Sequence, residues 1–112
     1  MGCRVVHAAA LEVPLEPVPP EKAVAGTPRA GVAQVPGVGG LAVGVWEHTA
    51  GVSTDVEVDE VFVVLRGRAT VEVEGGAILE LGPGDLCVLE AGAKTRWTVH
   101  EDLRKVFVCP PD

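Results

Sequence analysis

Short apolar runs separated by glycine-centred turns occupy the chain from Leu41 to its end. Within most of these runs apolar and polar residues alternate, and a period of two predicts half-buried β-strands. We predict strands at about residues 41–48, 56–65, 69–74, 77–81, 86–90, 95–100 and 103–108. Short strands at this spacing predict an all-β barrel or sandwich.

Three turns between these runs indicate antiparallel neighbours. Gly75-Gly76 is a two-residue connection typical of a hairpin, because glycine readily adopts positive φ. In the sequence GPGD, residues 82–85, proline and glycine occupy the central positions that a type II turn requires. Gly92 predicts a further turn within residues 90–93.

The residues before Leu41 differ in composition and in hydrophobic periodicity. Residues 11–36 contain six prolines and show no sustained helical or strand period. We therefore expect residues 1–40 to form an extended, proline-rich N-terminal segment that packs on a barrel core of residues 41–112. The length of 112 residues suits one domain overall.

Charge and apolar content restrict the partners. Nine Lys and Arg against sixteen Asp and Glu give a net charge of −7, which repels phosphate backbones, so we expect no nucleic-acid partner. No run approaches the roughly 18 apolar residues of a membrane span, and the N-terminus lacks a signal-peptide pattern. We expect no membrane partner and a cytoplasmic location. Three cysteines without CxxC spacing predict free thiols.

Four carboxylates lie in the stretch STDVEVDE, residues 53–60. Strand parity places three of them on one side, which we expect to be a solvated face: Asp55, Glu57 and Asp59. Glu60 falls on the apolar side with Phe62, where a carboxylate must be paired, hydrogen-bonded, metal-bound or protonated. A salt bridge to Arg66, Arg96 or another cation and a role in a pocket both remain open.

Two motifs then suggest a family. In STDVEVDEVFVVLRG, Glu60 and Gly67 fit the glutamate and closing glycine of the first cupin motif; in the later stretch GDLCVLEAGAKTRWTV, Gly84 and Gly92 fit the second. The chain thus resembles the cupin superfamily over about residues 41–108. The resemblance implies a small antiparallel jelly-roll β-barrel with a central ligand pocket.

The stretch RWTVHEDLRKVF near the C-terminus is more specific. It resembles a cupin subfamily that includes ethanolamine-utilisation cupins and the barrel of ureidoglycine aminohydrolases. The matching residues are Trp97, Val99, Glu101, Arg104, Lys105 and Phe107. Arg104 and Lys105 point to opposite faces of a strand, so at most one of them can reach an interior carboxylate.

The metal ligands implied by the cupin resemblance are mostly replaced. Ser53, Asp55 and Thr95 occupy positions where the motifs have histidine, and only Glu60 remains. Transition-metal sites usually combine two or three imidazoles with a carboxylate, so we expect no metal cofactor. The alternative is a weakly bound divalent metal on Asp55 and Glu60, with His48 or Cys87 completing the site. It requires the chain to turn or bulge between the two carboxylates.

We expect a ligand pocket lined by seven residues, for which core packing or a place at the rim is the alternative. Trp46 and His48 share one strand face, and the Trp97 ring offers a wall for stacking. The predicted pocket residues are Trp46, His48, Asp55, Glu60, Phe62, Thr95 and Trp97.

Three functions are compatible with this reading. The first is a cupin-fold protein of unassigned activity that binds a small polar metabolite without a transition metal. The alternative is an enzyme of small-molecule nitrogen or carbon metabolism, in which Glu60 is the candidate catalytic residue, acting as general base or metal ligand. The third is an assembly role through exposed strand edges, and in each case we expect a homodimer.

Overall fold

The computed structural model describes residues 2–37 and 39–111. The strands within these ranges are β1 (Glu16–Pro17), β2 (Ala23–Ala25), β3 (Arg29–Val35), β4 (Ala42–His48), β5 (Gly51–Val56), β6 (Glu60–Val73), β7 (Ile78–Leu81), β8 (Leu86–Leu89) and β9 (Lys94–Cys109). The described residues contain no helix that could span a bilayer. The all-β prediction is confirmed.

The strands form one curled antiparallel sheet around β9. On one side, β9 pairs first with β5 and then with β4, and β3 follows β4. On the other side, β9 pairs with the long strand β6, which also pairs with β7 and β8. The sheet therefore curls into a half-barrel with one concave face enclosed by the strands, as the cupin resemblance implies.

Two strands of the structure are each predicted as two shorter strands. Runs 56–65 and 69–74 were predicted separately, but β6 continues through a bulge at Gly67, where its register with β9 shifts. In the same way, runs 95–100 and 103–108 form the single strand β9. A bulge interrupts the alternation of apolar residues without ending the strand, so the pattern shows a gap where the backbone has none.

A strand also forms inside the proline-rich segment. β3 has seven residues, lies between Pro28 and Pro36, and pairs along its length with β4. Both prolines lie outside its ends, so their missing N–H groups remove no hydrogen bond from the ladder. The expected extended conformation is here a paired strand, because the partner strand β4 supplies the hydrogen bonds.

Large apolar side chains fill the concave face of the sheet. They come from alternate positions of β6, β8 and β9 and include Phe62, Val64, Val71, Leu89, Trp97, Val99 and Leu103. Cys87 packs among them, and burial raises the pKa of its thiol. The predicted turn at 82–85 is confirmed, since Asp85 N–H donates to the Gly82 carbonyl and Gly84 has φ of 87°.

The N-terminal segment covers part of the convex face. Arg104 Nη1 donates to the carbonyls of Ala8, at 2.9 Å, and Leu11, at 2.6 Å. Glu47 accepts hydrogen bonds from both Arg104 and Arg66. Burial alone would raise the pKa of Glu47, but the two guanidinium groups together outweigh it and lower the pKa. Glu47 is therefore an ionised bridge beneath the segment.

The bulge at Gly67 gives a first prediction. Gly67 and Gly84 have nearly the same positive φ, 89° and 87°, but an added Cβ would meet the Asp102 carbonyl oxygen at Gly67 and no described atom within 4 Å at Gly84. We expect Gly84→Ala to cost about 1 kcal/mol of backbone strain. Gly67→Ala should cost about 1 to 2 kcal/mol more because of the clash. Urea unfolding of both variants measures the difference, and equal losses would contradict it.

Candidate functional site

A cavity of about 450 Å³ opens on the concave face, between β3, β4, β5 and β9. Of the seven predicted pocket residues, five line it: Trp46, His48, Asp55, Glu60 and Trp97. Phe62 and Thr95 do not line it, but both are buried and contact lining residues, Phe62 at Lys105 and Thr95 at Glu57. That these residues bind a ligand stays a prediction.

The base of the cavity holds a buried ion pair, Lys105–Glu60. Lys105 Nζ donates to Glu60 Oε2 at 2.6 Å, and the two side chains are only 6% and 12% exposed. The ammonium also lies 4.1 Å from the ring centre of Phe62, 4.5 Å from that of Trp46 and 5.0 Å from that of Trp97. These cation–π contacts stabilise the charge where water is largely excluded.

The partner of Glu60 was left open by the sequence. It is Lys105, whereas Arg66 lies at Glu47 and Arg96 lies near Glu72. Lys105 points into the barrel because it pairs in register with Trp46 of β4, and Arg104 points to the convex face. Lys105 thus reaches a carboxylate inside the barrel, and Arg104 reaches the equally buried Glu47 on the opposite face.

Glu57 is a cavity residue that the sequence misplaced. Its Oε2 accepts from Thr95 Oγ1 at 2.6 Å and from Trp97 Nε1 at 3.0 Å, so the expected solvated face is wrong at this position. The reason is that β5 ends at Val56, and strand parity does not extend past the end of a strand. The sequence did hold one indication of this contact, because a buried tryptophan N–H needs a hydrogen-bond acceptor.

The other two carboxylates of that stretch remain near the surface. Asp59 is exposed and accepts from Ala91 N–H, and the half-exposed Asp55 pairs with Lys22 at 3.1 Å. Asp55 nevertheless lines the same cavity as Glu60. The chain turns between β5 and β6, and such a turn is what Asp55 and Glu60 require in order to face the same cavity.

His48 and Ser53 form a buried hydrogen-bonded pair at one wall. His48 Nδ1 lies 2.6 Å from the Thr49 carbonyl, which can only accept, so Nδ1 carries a proton. Burial lowers the pKa of His48, more than the Thr49 carbonyl and Asp102 raise it, so the ring is neutral near pH 7. Its Nε2 therefore accepts from Ser53 Oγ at 2.9 Å. The Ser53 oxygen presents only lone pairs to the cavity.

The pKa shift of His48 predicts a pH dependence of stability. Its folded pKa lies below the reference value of 6.5, so the unfolded chain binds more protons as the pH falls through that value. The contribution of His48 to the free energy of unfolding should be complete well above pH 6.5 and should decline below it. Urea unfolding at about pH 8 and pH 5.5 measures this loss. If His48→Gln showed the same pH dependence as the parent, the assignment would be wrong.

The residues at the cupin metal positions do not fit a transition metal. Each already has a side-chain partner: Ser53 bonds to His48, Asp55 to Lys22, Thr95 to Glu57 and Glu60 to Lys105. In residues 2–37 and 39–111, no group of three His, Cys, Asp or Glu is placed to hold a metal ion. An ammonium 2.6 Å from Glu60 would also repel a divalent cation there. The absence of a metal cofactor remains a prediction.

Comparisons with known proteins identify the family and the fold. The family model described as EutQ-like cupin domain matches residues 38–107. A Rhizobium leguminosarum protein of unknown function is 24% identical with a TM-score of 0.66, covering 74% of this chain and 82% of its own. Clostridium difficile EutQ is 18% identical with a TM-score of 0.66, covering 75% and 69%. A Pseudomonas syringae DUF861-family protein of unknown function is 21% identical with a TM-score of 0.76, covering 88% and 44%. No curated protein matches this chain.

Proposed function

Because the chain belongs to the EutQ-like cupin domain family, we propose that it binds a small polar metabolite in its barrel, without a transition metal. The site is the cavity above the Lys105–Glu60 ion pair. A cytoplasmic location is part of the same proposal. Fold alone does not decide the function of a cupin, so the support comes from the cavity itself.

The observation that supports binding is an open cavity over a buried charge pair. Its volume of about 450 Å³ lies in the range of small-molecule sites, which are typically apolar with a few placed polar groups. Trp46 and Trp97 supply aromatic walls, and Lys105, Glu57 and Ser53 supply polar atoms. A barrel used only as a structural element would gain stability by filling this space with side chains.

Thermal-shift screening followed by calorimetry on a panel of small polar metabolites tests the proposal. Ala30 lines the cavity and pairs in register with His48, so Ala30→Phe should fill the space and abolish binding while the fold is retained. The matched control is Ala77→Phe, in the exposed turn before β7, which should bind like the parent. Binding that survives Ala30→Phe unchanged would place the ligand elsewhere.

The second candidate function is an enzyme that uses Glu60 as general base. The ion pair favours it, since a proton acceptor and an ammonium donor lie side by side at the cavity base. In this case Glu60→Gln should lower turnover of a bound metabolite by about 100-fold or more while binding persists. Full turnover in that variant would exclude the role.

We also propose that the chain forms a homodimer through the convex face of β8, β6 and β9. Five aliphatic side chains there are 36% to 65% exposed: Val61, Val63, Leu86, Val88 and Val108. The register places Val61 beside both Val88 and Val108, so these side chains form one patch. The patch carries no charge on a chain of net charge −7, so two copies meet there with the least repulsion.

Sedimentation velocity tests this interface. Val88→Glu should convert a dimer to a monomer, because two carboxylates would be buried against each other at the patch. Ile78→Glu is the control, since Ile78 is 67% exposed but lies on β7, outside the patch. A parent chain that sediments as a monomer would exclude the dimer.

A further inference from the structure

We propose that the ligand of this cavity is a small organic cation that carries a primary ammonium group. This inference rests on the binding function proposed above and specifies its chemistry. It depends on two independent properties of the cavity: its net charge, and the direction in which its polar atoms can form hydrogen bonds.

The cavity lining is net negative. Its charged side chains are four carboxylates and two lysines, which sum to −2 with His48 neutral: Glu16, Asp55, Glu57 and Glu60 against Lys22 and Lys105. Lys105 neutralises Glu60, and Lys22 neutralises Asp55. The excess charge therefore belongs to Glu57 and Glu16. In a concave site walled by low-dielectric rings this field attracts cations and repels anions.

Glu57 is prepared to accept a further hydrogen bond. Thr95 Oγ1 and Trp97 Nε1 both approach the same oxygen, Oε2. Among the described residues, Oε1 is left to accept from a ligand. The two donors also fix the orientation of the carboxylate. Ligand binding there would therefore cost little further side-chain entropy of Glu57.

Ser53, like Glu57, presents a hydrogen-bond acceptor to the cavity. Its hydroxyl proton is directed to His48 Nε2, because the Thr49 carbonyl fixes the proton of the ring on Nδ1. The serine oxygen can therefore only accept from a ligand. A primary ammonium supplies three donors and no acceptor, which matches Ser53 and Glu57 together. The partly exposed Trp46 ring adds a cation–π surface, as it already does for Lys105.

Calorimetry with three probes of equal length tests the inference: 4-aminobutan-1-ol, butane-1,4-diol and 4-hydroxybutanoate. They differ in the charge of one end group, which is positive, neutral or negative. We expect the amine to bind about tenfold more tightly than the diol, and the carboxylate to bind least. Glu57→Gln should weaken binding of the amine by about tenfold and weaken binding of the diol much less, because only the amine loses a charge-assisted hydrogen bond. Glu90→Gln, an exposed residue after β8, makes the same charge change and should leave both unchanged.

The outcomes separate the inference from the function on which it rests. If the diol or the carboxylate binds as tightly as the amine, the ammonium inference is wrong and metabolite binding stands. The same holds if a panel metabolite binds while the amine does not. If neither the three probes nor any panel metabolite binds to the parent chain, both proposals fail.

Discussion

Replacing Lys105 with methionine should lower the free energy of unfolding by about 3 to 5 kcal/mol. The methionine side chain fills similar space, so packing against Phe62 and the two tryptophans is largely retained. What is lost is the partner of Glu60, whose side chain is only 12% exposed. Among the described residues the carboxylate then keeps only the Cys109 thiol, 3.7 Å from Oε1, and this weak donor does not compensate for the lost hydration.

Three further variants isolate this effect in urea unfolding. Lys22→Met removes the ion pair with Asp55, in which the side chains are 49% and 46% exposed, and should cost less than about 1 kcal/mol. Glu60→Gln alone should be destabilising, and combining it with Lys105→Met should recover much of the loss, because no buried charge remains unpaired. A loss for Lys105→Met no larger than that for Lys22→Met would mean that water screens the pair.

Replacing Arg104 with methionine should cost about 3 kcal/mol and release the N-terminal segment. The buried guanidinium donates to the carbonyls of Ala8 and Leu11 and to Glu47, so one substitution leaves several acceptors without their donor. Thermolysin cleavage between residues 8 and 15 should then become much faster than in the parent. Urea unfolding and the rate of cleavage measure the two effects separately.

Arg66 provides the matched control for Arg104. It also bonds to Glu47, but its side chain is 55% exposed, so Arg66→Met should cost less than about 1 kcal/mol and leave cleavage unchanged. Arg104→Lys keeps the charge but not the planar fork of donors, and we expect an intermediate loss. Equal cleavage of Arg104→Met and the parent would show that other contacts hold the segment.

Local pattern was sufficient for the all-β fold class and for the strand face on which several side chains lie. Alternation and turn glycines predicted an all-β chain, and strand parity placed Glu60 on the apolar side and Arg104 and Lys105 on opposite faces. Each of these predictions depends only on residues within a few positions of one another in a strand. Parity is a local property, so it can be obtained without knowledge of strand pairing.

Long-range pairing decided what the sequence left open or placed wrongly. Lys105 and Glu60 are 45 residues apart and meet only because β6 and β9 are neighbours. Glu57 leaves the predicted solvated face because β5 ends before it and Trp97, 40 residues later, supplies its donor. β3 forms inside the proline-rich segment because β4 offers it an edge. None of these contacts has a local signature in the sequence.

The two indole N–H groups give the most direct test of ligand binding in the cavity. The chain has two tryptophans, Trp46 and Trp97, and both line the cavity. In a ¹H–¹⁵N spectrum of the parent chain, titration with 4-aminobutan-1-ol and with each panel metabolite should shift both indole signals saturably for at least one compound. If every compound left both signals in place, or if a compound that binds by calorimetry left them in place, the barrel would not be the binding site.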